Sequence, residues 1–216
     1  MSEESINKED SQGRTPLHCA SKKGHLEVVK VLLQVSEESV DKMDSQNRTP
    51  LHTSIIKNHW PVSKCIVLSG KPSPDNINHV YEQNKTILHM ASERGEIEMV
   101  KKLVAISELT VDKVDDQGKS PLHCGSEKGH AEVVKVLLRV SEESINKEDS
   151  QGRTPLHCAS EKGHAEVVQE LLRVSEESVN KLDSKGLSPL GYAVISNNLD
   201  LANVLIPLSS LATIYR

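Results

Sequence analysis

The chain contains no phenylalanine, one tryptophan and three tyrosines, so aromatics make up 2% of its 216 residues. A globular core of this length draws on more aromatic bulk; thin layers filled by Val, Leu, Ile and Ala do not need it. No stretch approaches the roughly 20 apolar residues of a membrane-crossing helix, so no membrane insertion is expected. The start, MSEESINKED, has neither the basic beginning nor the apolar run of a secretory signal. There is no C-x-x-C or H-x-x-x-H pair to suggest a zinc site, and no nucleophile elbow, dinucleotide fingerprint or P-loop. No metal, cofactor or catalytic residue is therefore expected. The formal net charge is -5 and the charged residues, 26% of the chain, are mixed in sign. That is a solvated surface and not a nucleic-acid-binding tail.

What the chain does have is repetition. The peptide SEESINKEDSQGRTPLHCAS occurs twice without change, at Ser2–Ser21 and Ser141–Ser160. The anchor T-P-L-H or a variant begins at Thr15, Thr49, Thr86, Ser120, Thr154 and Ser188, at spacings of 34, 37, 34, 34 and 34 residues. A fixed period in this range is the signature of a stacked-repeat architecture. One elongated domain over residues 1–216 is the expected organisation, and such stacks make long binding surfaces more readily than catalytic pockets. Of the ten histidines, nine recur with the period: His18, His52, His89, His123 and His157 in the anchor, and His25, His59, His130 and His164 between helices. Cys19, Cys124 and Cys158 share one position, and layers about 10 Å apart lie beyond disulfide reach. Small buried hydrophobes in a reducing compartment are the expectation for them.

The unit Asp149–Val174 shows the local logic. Thr154 caps a helix that has Pro155 at its first position, where a missing N–H costs nothing. Gly163 ends that helix in the left-handed conformation. The run A-E-V-V-Q-E-L-L-R predicts a second helix from about Ala165 to Arg173, with apolar positions 167, 168, 171 and 172. The D-x-x-G before the anchor is turn chemistry, since Asp bonds its own backbone and Gly tolerates positive φ.

D-x-x-G-R-T-P-L-H-C-A-S-E-K-G-H-A-E-V-V-x-x-L-L resembles the ankyrin repeat, over about residues 5 to 206. The resemblance implies an all-α solenoid of paired antiparallel helices with β-turn fingers. It implies that the Thr (or Ser) and His of each anchor hold each other and the turn backbone. Departures from the pattern are concentrated in the second repeat. Asn58 stands for the turn glycine, the outer loop is three residues longer, and Tyr81 and Asn84 replace the Asp and Gly of the third finger. A weak link is expected at Asn58–Val80. The chain opens on what reads as the outer loop of a truncated repeat, which would leave Leu17 and Val28 facing solvent. The last repeat has Gly191 in place of the anchor His and reads as a cap.

The resemblance further implies a protein partner on the concave face of fingers and first helices. The matching finger residues are Arg14, Arg48, Lys85, Lys119 and Arg153. The matching first-helix residues are Lys22 and Lys23, Ile56 and Lys57, Glu93 and Arg94, Glu127 and Lys128, and Glu161 and Lys162. Five basic residues at one finger position suggest a partner with an acidic or polar segment; the alternative is that duplication copied a neutral surface residue. Trp60 either joins Ile56 in a contact or packs between layers. The chain is expected to be a non-catalytic, monomeric interaction module or scaffold in the cytoplasm or nucleus. A second reading is the targeting arm of a larger enzyme, or a ubiquitin-ligase adaptor, with the catalytic part outside this chain.

Overall fold

The computed structural model describes residues 6–209. Their regular elements are all helical, and an isolated bridge pairs Val80 with Thr86. The all-α architecture of paired antiparallel helices with turn fingers is thus the observed one. The chain forms two compact units, Met1–His79 with Ala105–Ser107, and Val80–Val104 with Glu108–Arg216.

The first unit holds α1 (Pro16–Lys23), α2 (Leu26–Val35), α3 (Pro50–Ile56), α4 (Trp60–Ser69) and the single turn α5 (Pro74–Ile77). None of these is long enough to be stable alone in water. Their order comes from packing: α1 lies on α2 and α3, and α4 lies on α2 and α3. Leu17, Val29, Leu33, Leu51, Val62 and Ile66 form the buried core. Leu17, expected in solvent, is 1% exposed, because the apolar face of α1 is turned into these contacts; Val28 is 48% exposed, as expected.

The second unit contains α6 (Ile87–Glu93), α7 (Ile97–Ile106) except its last two residues, α8 (Pro121–Glu127), α9 (Ala131–Val140), α10 (Pro155–Lys162), α11 (Ala165–Val174), α12 (Pro189–Ile195) and α13 (Leu199–Leu205). First helices stack on first helices, with α8 between α6 and α10, and α10 next to α12. Leu122, Val133, Leu137, Leu156, Val167 and Leu171 are fully buried, each worth about 1.5–3 kcal/mol relative to exposure. The second helix of the reference unit runs Ala165–Val174, one residue beyond the predicted end.

The connections explain the register. Gly163 sits at φ 75° and Asn58 at φ 57°, so Asn takes the left-handed turn in the second repeat as its short polar side chain permits. The acidic links are half-plugged: Glu142 and Glu143 are exposed, but Ser144 and Ile145 turn inward on a short 3-10 segment. The lengthened loop of the second repeat is not loose. Ser73 caps α5, and Asn76 and Ile77 are buried. Asn76 Nδ2 donates to Asp41 Oδ1 at 2.8 Å and to the Val40 carbonyl at 3.4 Å, while its Oδ1 accepts from Thr49 Oγ1 at 2.9 Å. The longer loop thus has buried contacts of its own within the first unit. The third finger is irregular, with Gln83 and Asn84 both left-handed.

Candidate functional site

Except for the third, where Tyr81 stands in its place, each finger is built from an aspartate. In Asp149–Arg153 the carboxylate Oδ1 accepts from the backbone N–H of Gln151 and Arg153, both at 2.9 Å. Oδ2 accepts from Arg153 Nε at 3.0 Å and Nη2 at 2.8 Å. Burial alone would raise the Asp149 pKa, but these donors outweigh it and hold the carboxyl below its usual range. Asp10 and Asp44 make the same clamp on Arg14 and Arg48. Adjacent fingers are sewn together by backbone bonds, Ser45 N–H to the Gln12 carbonyl in the first unit and Ser150 N–H to the Gln117 carbonyl in the second, each 2.9 Å.

The anchor histidine bolts a helix to the next finger. His123 Nδ1 accepts from the Ser120 N–H at 3.2 Å and contacts Ser120 Oγ at 2.9 Å, while Nε2 lies 3.0 Å from the Arg153 carbonyl. An acceptor at Nδ1 requires that Nε2 carry the proton, so the neutral ring is the one that fits. His18, His89 and His157 repeat the arrangement, reaching the Arg48, Lys119 and Lys181 carbonyls at 2.8, 3.0 and 3.1 Å. Burial lowers the pKa of all of them, and that of His123 to about 4. His52 also falls to about 4, through burial first and then the neighbouring His79 ring, 3.9 Å away between centroids. The mutual hold of Thr or Ser and His expected from the resemblance is therefore present.

The second histidine series bonds backward across layers. His59 Nε2 lies 3.1 Å from the Lys22 carbonyl, His130 Nε2 3.1 Å from that of Glu93, and His164 Nε2 3.0 Å from that of Glu127. The G-H dipeptide carried this in the sequence as a repeated pair, without its acceptor.

An acid lies within reach of each finger cation. Lys85 pairs with Glu93 at 3.4 Å, Lys119 with Glu127 at 2.6 Å, and Arg153 with both Asp149 at 2.8 Å and Glu161 at 2.9 Å. Arg153 is only 9% exposed. Arg14 pairs with Asp10 at 2.6 Å and Arg48 with Asp44 at 2.7 Å. At the ends of the first helices Lys22, Lys23, Ile56, Lys57, Arg94, Lys128 and Lys162 are exposed, and Glu93, Glu127 and Glu161 are half-buried by their cations. Trp60 is half-buried at the start of α4.

All four cysteines are free thiols. Burial pushes Cys124 and Cys158 up to about 12, which removes nucleophilic thiolate at neutral pH. Among the described residues no group of three His, Cys, Asp or Glu side chains is placed to hold a metal, and no helix is long and apolar enough to cross a membrane.

A family model described as ankyrin repeats matches the chain in three copies, over residues 2–76, 62–149 and 140–212. A search of curated proteins finds no match.

Proposed function

The chain belongs to the ankyrin-repeat family, and from that premise we propose that it is a non-catalytic module that binds a protein partner on its first helices and fingers. The observation that carries the reading is the contrast within each repeat. The anchor side chains are buried and bonded to backbone, while the residues that end the first helices stay exposed on that rigid frame. Such a frame orients side chains for a partner and offers no activated nucleophile or acid–base pair. We take the protein to act as a monomer in a reducing compartment, cytoplasm or nucleus, a placement that four unpaired thiols favour. The test is capture of a partner with the intact chain, followed by charge reversal at first-helix ends and, separately, at the outer-loop Glu142 and Glu143. Release by the first set alone is expected. Release by the outer-loop set alone would overturn the assignment of the face.

A further inference from the structure

The finger cation and the residue eight positions later form a repeated pair, and the pair differs between units. In the second unit that later residue is Glu93, Glu127 or Glu161, and each accepts an ion pair from its finger. In the first unit the same seats hold Lys22 and Ile56, which have no carboxylate to offer. Arg14 and Arg48 therefore fold back wholly onto Asp10 and Asp44. What is left on the surface is Lys22, Lys23 and Lys57, exposed and without an ion pair to any described residue, around an Ile56 that is 55% exposed.

This patch stands on a fixed backbone. The His59 ring bonds the Lys22 carbonyl at 3.1 Å and lies where a Cβ on Gly24 would come within 2.6 Å of its Nδ1. The end of α1 is thus locked to the α3–α4 turn that carries Ile56 and Lys57. Lysines at a helix C-terminus also complement the helix dipole, which gives Lys22 and Lys23 a local reason. Ile56 has no such reason, since neither packing nor dipole rewards it there.

We propose that this end of the first unit is a docking site for an acidic peptide segment of a protein partner, with an aliphatic side chain seated on Ile56 and carboxylates bracketing it toward Lys22, Lys23 and Lys57. The inference rests on the reading of the chain as an interaction module and names the chemistry of its partner. The lysines set encounter and orientation, and the apolar contact sets residence. Second-unit seats do not attract the same segment, because their glutamates already occupy the cations.

The test uses the full chain and a fluorescein-labelled dodecapeptide with leucine at every third position and glutamate elsewhere, followed by anisotropy at low salt. Its controls are the same peptide with glutamine for glutamate, and a short DNA duplex. The acidic peptide is expected to bind, and the Lys22→Glu/Lys23→Glu/Lys57→Glu variant and Ile56→Asp each to lose at least about tenfold in affinity. Lys101→Glu/Lys113→Glu, on the second helix α7 and the link that follows it and so away from first helices and fingers, is expected to change it less than about twofold. All these positions are exposed, and unchanged far-UV circular dichroism verifies folding. Equal binding by the triple reversal would overturn the proposal. So would a duplex that binds as tightly as the peptide with no effect of Ile56→Asp, since that describes a general polyanion surface. If a captured native partner is released by Lys128→Glu/Lys162→Glu but retained by the triple reversal, the docking site is wrong and the interaction-module reading stands. If neither peptide nor any native protein binds the intact chain, both fall.

Discussion

Lowering the pH from 7 to 5 is expected to destabilise both units through their anchor histidines, before the clamped aspartates are protonated. His123 is fully buried, and His52 is 4% exposed. Each has a folded pKa of about 4 against an unfolded value of 6.5. A folded pKa below the unfolded one means that the unfolded chain takes up protons first, so stability is lost as pH falls through 6.5 towards 4. Each histidine then costs about 2 kcal/mol at pH 5 and about 3 at pH 4. Against a typical total of about 5–15 kcal/mol this is a large fraction. The clamped carboxylates Asp44, Asp149 and Asp183 are held below 3.8, so their contribution is intact at pH 5 and lost only at lower pH. Urea denaturation followed by circular dichroism at pH 7 and 5 reads the effect as a midpoint shift of about 1 M per unit. His123→Gln supplies the control, because an amide N–H still reaches the Arg153 carbonyl but does not titrate in this range. It is expected to be less stable at pH 7 and to lose about 2 kcal/mol less than the parent between pH 7 and 5. An unchanged midpoint in the parent, or the same pH dependence in His123→Gln, would refute the role given to the neutral ring.

Gly129→Ala is expected to cost more than Gly163→Ala, about 2–3 against about 1 kcal/mol. Both sit at positive φ, 78° and 75°, but a Cβ at Gly129 meets the His164 ring at 2.6 Å, whereas at Gly163 it meets the movable Asn198 amide at 2.9 Å; equal losses in chemical denaturation would show that the ring yields freely. Ser126→Ala should stabilise by about 1 kcal/mol, since its buried hydroxyl has no hydrogen-bond partner among the described residues and Ala has the better helix propensity; a fall in thermal midpoint would point to a hidden partner. Asn76→Ala should cost the first unit about 2–3 kcal/mol by stranding Thr49 Oγ1 and the ends of Asp41 and Val40 that it now binds. Hydrogen exchange should then rise across α3 and α5 and leave α8 to α11 unchanged.

The parts of the fold legible in the sequence were those whose physics is local. A Thr-Pro pair three residues before a His announces a cap, a first turn and a reach to the next finger, and a Gly or Asn after the helix announces a left-handed exit. These depend on neighbours within a few residues, so the letters carry them. How the longer loop of the second repeat packs was not legible, because that depends on what three extra residues touch. Asn76 is an ordinary loop letter until Thr49, Val40 and Asp41 surround it, contacts 27 to 36 residues away. Leu17 was misplaced for a different reason: a truncated first repeat was expected to leave it bare, but α1 turns it into the contacts with α2 and α3.

The proposed binding face was legible as a set of positions and illegible as a field. Alignment of the repeats located every finger cation, but the sign of a surface is decided by which acids those cations can reach. Lys119 and Glu127, eight residues apart, look independent in the chain, yet their side chains meet at 2.6 Å because the finger folds back over the first helix. The same fold-back at Arg48 finds Ile56, and its charge goes to Asp44 instead. These ion pairs are partly buried, so desolvation offsets much of their Coulombic gain and stability hardly constrains whether a seat holds Glu, Lys or Ile. A seat that packing leaves open is where binding specificity is set at least cost to the fold. Within this chain that freedom has been used in opposite ways, to neutralise the fingers of the second unit and to leave lysines and an isoleucine uncovered on the first.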